Sequence, residues 1–284
     1  MNILILGAAG MAGHTIALYF KGQGYNVSAY SMRPFPYCKN NIIGDAFETD
    51  KFKAMLLANK YDLVINSIGL LNQDADNNPS KAVYLNSYLP HLITDTLKST
   101  CTKVIHMSTD CVFAGNTGPY TEKSLRDGQT FYDRTKALGE LDDCNNLTFR
   151  NSIIGPDMNV NGIGLFNWFM KQSKQIDGYT KAIWTGVTTL TLAKAMEQAY
   201  KENLTGIFNL VNNASISKFD LLNLFNKYFR NNELIITPSE QLQLDKTLTC
   251  TRINDFSFKV PSYEQMIIEM KEWVDVHKEL YPFY

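Results

Sequence analysis

The feature that most constrains this chain is a glycine-rich turn set directly behind its first apolar run. Asn2–Leu6 reads as a short buried strand, and Gly7-Ala8-Ala9-Gly10-Met11-Ala12-Gly13 follows at once, opening the amphipathic stretch Met11–Lys21. Glycines at Gly7, Gly10 and Gly13 let such a turn tighten and let backbone approach a pyrophosphate. The helix start adds unpaired N–H groups and the positive end of a dipole. The spacing is G-x-x-G-x-x-G rather than G-x-G-x-x-G. A turn between any strand and any helix can look alike, so the position behind the first strand is what favours a dinucleotide.

Short apolar runs and longer amphipathic ones then alternate through the N-terminal half. Strands are expected at Tyr25–Tyr30, Asn41–Ile43, Leu63–Ser67, Lys103–Ser108 and Leu147–Arg150. Helices are expected at Lys51–Leu57, Lys81–Lys98 and Phe131–Leu141. Alternation of this kind predicts an α/β fold, a Rossmann-like doubly wound parallel sheet with ligands at the carboxyl ends of its strands. Beyond Arg150 the pattern loosens. Thr188–Tyr200 reads as a helix and Gly206–Val211 as a strand returning to the sheet, while Gly162–Lys174, Phe219–Phe229 and Tyr263–Trp273 read as helices of a smaller C-terminal substrate-binding lobe. The expected division is residues 1–152 and about 182–212 for the dinucleotide-binding part, with about 153–181 and 213–284 for the lobe.

Composition removes several alternatives. At 284 residues, 45% hydrophobic and 19% charged, the chain can bury a sizeable core. Its 27 basic and 28 acidic residues leave a formal charge of −1, which gives no overall field for nucleic acid or an anionic membrane. An anionic ligand therefore needs a local site. Cys38, Cys101, Cys111, Cys144 and Cys250 are odd in number and have no C-x-x-C spacing, so neither a disulfide framework nor a zinc site is expected. No metal is expected from His14, His91, His106 and His277 either. With no signal-like start and no membrane-length apolar run, a cytoplasmic location is the expectation, and a homodimer is left open.

The chemistry gathers around two segments. His106-Met107-Ser108-Thr109-Asp110-Cys111-Val112-Phe113 ends the fifth strand, and Tyr132-Asp133-Arg134-Thr135-Lys136 lies on the following helix. Residues four apart on a helix share a face, so the Tyr132 phenol and the Lys136 ammonium can address one reacting centre. A nearby cation is expected to draw the phenol toward a value useful for proton transfer. Alone, Y-x-x-x-K is common on helices for packing and solubility. Here it stands behind a glycine turn on the first strand and hydroxyl residues on the fifth.

The shifted glycine spacing and this order resemble the short-chain dehydrogenase/reductase superfamily, extended type. Ser108-Thr109-Asp110-Cys111-Val112-Phe113-Ala114-Gly115 is similar to a segment of dTDP-4-dehydrorhamnose reductases, as are Pro119-Tyr120-Thr121-Glu122, Leu138-Gly139-Glu140 and Arg150-Asn151-Ser152 with Gly155-Pro156. The resemblance spans most of the first two-thirds. It implies an NAD(P)-dependent enzyme that reduces a 4-keto group on a nucleotide-activated deoxysugar. Thr109 would bond the substrate carbonyl, Tyr132 would protonate its oxygen, and Lys136 would hold the nicotinamide ribose and lower the Tyr132 pKa. Gly7, Gly10, Met11 and Gly13 would cradle the dinucleotide, with Asn66, Ser67 and Gly69 lining it and Asp45 against adenine. For Asn66 a plain strand-end cap is the equal alternative. The second strand runs into Ser31-Met32-Arg33 without the acidic residue that marks NAD preference, so NADP(H) is preferred and NAD(H) stays open. Arg33 as a solvated loop residue is the competing account. Ser108, Asp110, Trp184 and Arg252 are the expected substrate contacts, Arg252 reading equally well as a surface arginine.

Two departures bear on the substrate. Cys111 replaces the usual tyrosine of these reductases, and Ile183-Trp184-Thr185-Gly186 replaces a more polar segment. The competing functions are an epimerase or dehydratase of the same superfamily, and a non-catalytic regulatory subunit on the same fold, as in the methionine adenosyltransferase β subunit.

Overall fold

The computed structural model describes residues 1–284. The first half runs β1 (Asn2–Leu6), α1 (Met11–Gly22), β2 (Asn26–Ser31), β3 (Asn40–Ile43), α2 (Thr49–Ala58) and β4 (Leu63–Asn66). It continues through α3 (Asn72–Asn77), α4 (Pro79–Ala82), α5 (Leu89–Leu97), β5 (Lys103–Met107), α6 (Phe131–Leu138) and β6 (Leu147–Arg150). After it come β7 (Ser152–Ile154), α7 (Leu165–Met170), β8 (Gln175–Tyr179), β9 (Ala182–Trp184), β10 (Gly186–Thr188), α8 (Thr189–Lys201) and β11 (Gly206–Asn209). The remainder is β12 (Ile216–Ser217), α9 (Lys218–Phe229), β13 (Ile235–Ser239), β14 (Leu244–Asp245) and α10 (Tyr263–Val276).

Seven strands form one parallel sheet in the order β11-β6-β5-β4-β1-β2-β3. The chain winds outward from β1 in both directions, so the crevice at its carboxyl end lies at the topological switch point. On one face Ile16 of α1 and Leu192 of α8 share a core with Leu221 of α9 and Met266 of α10, which joins the lobe to the sheet. On the other, Phe52 of α2 packs with Leu89 and Leu92 of α5.

All seven strands stand where the alternation predicts, with ends moved by one or two residues. The long helix expected over Lys81–Lys98 is instead broken: residues Val83–Tyr88 form a π-helical turn between α4 and α5. Pro90 has no N–H to donate to the Asn86 carbonyl four residues earlier, and the widened turn absorbs that loss. The expected helix over Gly162–Lys174 is real only over Leu165–Met170. Ala182–Thr188, expected with the sheet-bearing part, lies in small sheets instead: β9 pairs β12 and β14, and β10 pairs β7.

Candidate active site

The glycine turn is built from close approach. Gly7 has φ +82°, a conformation that favours glycine. A Cβ on Gly13 would lie 2.1 Å from the Gly7 carbonyl oxygen, so the helix rests directly on the turn. Ser67 locks the arrangement from below, its hydroxyl donating to the Leu6 carbonyl at 2.5 Å. Gly10 precedes α1 without any side-chain cap. The turn therefore offers a cradle without side chains and a helix start whose N–H groups no side chain claims, and these fit a dinucleotide pyrophosphate. Met11 lies at the mouth, its sulfur beside Gly164 of the lobe, and Gly69 is exposed beyond β4.

Around the crevice the expected cofactor residues divide. Arg33 is exposed and lines a cavity of about 470 Å³ with Ala9 of the glycine turn, Tyr37, Met158 and Phe283. The Ser31 hydroxyl donates to the Arg33 carbonyl at 2.6 Å and so braces the loop that carries Arg33. Asp45 stands past β3 and accepts the Phe47 N–H at 3.0 Å through one oxygen. Asn66 serves as a strand-end cap. It is fully buried, donates to His106 Nδ1 at 3.1 Å and accepts from the Ile68 N–H at 3.1 Å.

The reaction end is held by a capped helix. Thr130 and Asp133 form a reciprocal capping box at the start of α6, and Asp76 Oδ1 accepts the Phe131 N–H at 3.1 Å. That start sets Tyr132 and Lys136 toward the carboxyl end of β5. Lys136 Nζ donates to the Met107 carbonyl at 2.6 Å. Burial lowers its pKa to about 8 against the opposing pull of Glu140. Tyr132 departs from expectation. Its phenol is pushed above its ordinary value, first by burial and then by Cys111, while the Thr109 hydroxyl draws it down. The phenol is thus held as a proton donor rather than tuned toward phenolate.

Thr109 is buried, accepts the Cys111 N–H at 3.1 Å and donates to Asp110 Oδ1 at 3.1 Å. To bond a carbonyl its hydroxyl would have to turn from Asp110. The Ser108 hydroxyl donates to Glu140 Oε1 at 2.7 Å, which ties it to the scaffold. Glu140 also takes two bonds from the buried Arg150 guanidinium, at 2.9 and 2.7 Å, and one from Arg126 at 2.9 Å. Burial alone would raise the Glu140 carboxyl, yet these partners hold it below its usual value.

The lobe contributes lysines that sequence reasoning missed. Lys218 Nζ sits 5.1 Å from the Trp184 ring centroid, and its charge opposes the burial that raises Asp110. Burial lowers Lys218 itself to about 8, with Asp110 and Cys111 pulling the other way. Lys246 lies 3.8 Å from Asp133 and also acts on Asp110. Trp184 is therefore a buried support for a cation. The available signal was Lys218 as the first residue of a helix, where the dipole disfavours positive charge. Cys111 is pushed up to about 12 by burial and by Asp110, so it is a neutral thiol near neutral pH.

Arg252 is also corrected. Its Nη1 donates to the Thr205 and Ile207 carbonyls at 2.8 Å each, and its Nε to Asp255 at 2.8 Å. Gly206 pairs with Leu147, the first residue of β6, so Arg252 stands at the amino edge of the parallel sheet, opposite the crevice. No group of His, Cys, Asp and Glu is placed to hold a metal ion, all five cysteines are free, and no helix is long and apolar enough to cross a membrane.

The chain is 28% identical over 142 residues to dTDP-4-dehydrorhamnose reductase of Escherichia coli (strain K12), covering 49% of this chain and 46% of the relative. It is 28% identical over 142 residues to the spore coat polysaccharide biosynthesis protein SpsK of Bacillus subtilis (strain 168), covering 49% and 47%. The match thus spans about half the length of each curated relative. A dTDP-4-dehydrorhamnose reductase of Bacillus anthracis, solved in complex with NADP, superposes with a TM-score of 0.79 over 95% of this chain and 98% of that one. At 16% identity that is a likeness of fold. A family model described as the RmlD substrate binding domain matches residues 1–273, and the chain belongs to that family.

Proposed function

We propose that this chain is an NADPH-dependent reductase of a 4-keto group on a nucleoside-diphosphate deoxysugar, serving the synthesis of surface-polysaccharide precursors. The observation that carries the reading is the meeting of Thr109, a buried phenol held protonated, and the Lys136 ammonium at the carboxyl end of β5. The relatives' names, a dTDP-4-dehydrorhamnose reductase and a spore coat polysaccharide biosynthesis protein, support the substrate class.

The bound dinucleotide supplies hydride. The protein supplies everything around that transfer. The Thr109 hydroxyl turns from Asp110 to the substrate carbonyl and fixes its direction. Tyr132 gives its phenolic proton to the carbonyl oxygen as negative charge develops there. Lys136 keeps its ammonium at the strand end, where it can grip a ribose hydroxyl. Lys218 and Lys246 provide, on the lobe side, the local positive charge that a chain of net charge −1 lacks overall. A neutral Cys111 thiol behind Asp110 leaves only one carboxyl beside Thr109, which favours reduction over dehydration. The free cysteines suit a reducing cytoplasm.

The test supplies the purified chain with NADPH and 4-keto nucleotide sugars, following NADPH absorbance and the hydrogenated product by mass spectrometry. Consumption of NADPH with a matching product is expected. Arg33→Ala should weaken NADPH binding about tenfold and leave NADH nearly unchanged, the effect of one lost charge-assisted bond. Binding of NADPH without turnover on any 4-keto nucleotide sugar, together with altered kinetics of a partner enzyme, would establish the regulatory reading instead.

A further inference from the structure

The end of β6 carries a side chain that nothing in the protein satisfies. Asn151 is 2% exposed, and neither its amide nitrogen nor its carbonyl oxygen has a hydrogen-bond partner. Both neighbours are engaged: Arg150 is bound to Glu140, and Ser152 pairs with Gly186 in the small sheet of β7 and β10. A buried amide lacking both partners is costly, and an aliphatic residue of similar size would avoid that cost. A ligand that supplied both partners would remove that cost.

Position narrows the ligand. Met107 of β5 faces Phe149 of β6, and the Ser108 N–H donates to the Phe149 carbonyl at 2.8 Å. Two residues further along these strands stand Thr109 and Asn151. Lys136 Nζ holds the Met107 carbonyl at the same strand ends. Strand alternation sends Arg150 back to Glu140, behind α6, and sets the next side chain off that face. Asn151 thus follows β6 at the same carboxyl edge of the sheet, off the face on which Arg150 meets Glu140.

Chemistry narrows it further. A carboxamide presents an acceptor and donors in one plane, and another carboxamide answers both at once. The nicotinamide ring carries one. Resting on the reading of this chain as a nicotinamide-dependent reductase, we propose that the Asn151 amide pairs with the nicotinamide carboxamide and so sets which face of the ring is turned to the substrate.

The test compares wild type with Asn151→Leu by calorimetric titration. NADPH should bind the variant about tenfold more weakly, the effect of two neutral hydrogen bonds. The fragment 2′-phospho-ADP-ribose, which lacks the ring, should bind both proteins equally. The melting temperature of the free variant should stay level or rise, because an unsatisfied buried amide is gone. Hydride transfer from stereospecifically deuterated NADPH should lose its single-face preference. Wild type alone provides a second measurement: the 3-acetylpyridine analogue of NADPH, whose carboxamide nitrogen is replaced by methyl, should bind about tenfold more weakly than NADPH. Equal binding of the analogue and NADPH by wild type overturns the proposal, as does unchanged NADPH affinity with an unchanged hydride face in the variant. Should wild type bind neither NADPH nor the ring-less fragment, the reductase reading falls and this assignment with it. If both bind and only the Asn151 effects are missing, this assignment alone falls.

Discussion

The two ends of the crevice are built on opposite physical principles. At the glycine turn the protein offers backbone: Gly7 in a left-handed conformation, Gly13 against the Gly7 carbonyl, and a helix start without a side-chain cap. At the reaction end it offers buried side chains whose proton affinities burial has displaced: Tyr132 upward, Lys136 and Lys218 downward to about 8. The first end has no room for a side chain at Gly13, and the second depends on charge and protons more than on space. Substitutions should therefore damage the two ends in different measurable ways.

The largest effect belongs to the reaction end. Tyr132→Phe keeps the ring and removes only the proton donor, so turnover should fall about 10²–10⁴-fold while melting temperature and NADPH affinity stay nearly level. Steady-state kinetics alongside calorimetry measures both. Retention of full turnover would mean that the proton comes from another group, and the contrast between the ends would lose its basis.

Gly13→Ala sharpens the same contrast from the other side. The added methyl would meet the Gly7 carbonyl oxygen at 2.1 Å and its carbon at 2.8 Å, both backbone atoms that cannot swing aside. Overpacking of this kind costs about 1–3 kcal/mol of stability, read by denaturant unfolding, and it should weaken NADPH and 2′-phospho-ADP-ribose alike. A variant of wild-type stability and affinity would show that the turn is looser than its contacts imply.

The smallest effect is a pH dependence of opposite sign in two measurements. Lys136 titrates near 8 in the folded chain against an ordinary value of 10.5, so between those values the unfolded chain binds more protons and stability rises with pH. Relative to Lys136→Met, wild type should therefore gain melting temperature from pH 8 toward 10. Turnover should move the other way, falling as pH rises through about 8, because the ammonium is lost while the Tyr132 phenol keeps its proton. Lys136→Arg, whose side chain stays charged, should hold its residual activity through that range. A wild-type profile flat to pH 10 would remove Lys136 from the mechanism proposed here.

Much of this site is legible along the chain because its logic is local. The period of apolar residues, the glycine spacing behind β1 and the four-residue step from Tyr132 to Lys136 are all short-range, and each survives in the fold. What misled was a residue type read without its partners. Ser108 looked free beside Thr109, yet Glu140, set by a separate segment, takes its hydroxyl. Asn66 read equally as a cofactor contact and a strand-end cap, and His106 on the neighbouring strand meets its amide. Arg252 read equally as a substrate contact and a surface arginine, and the chain path carries it to the amino edge of the sheet.

The sequence by itself determined the parallel sheet, the turn that opens it and the hydroxyl, phenol and ammonium that follow, since backbone stereochemistry and helical or strand periodicity act between near neighbours. Tertiary structure alone decided that Lys218 faces Asp110, that Asn151 is buried without partners, and that the Tyr132 phenol is held protonated. Burial and electrostatic coupling are sums over everything packed around a group, and residues far apart in the chain contribute most of each sum.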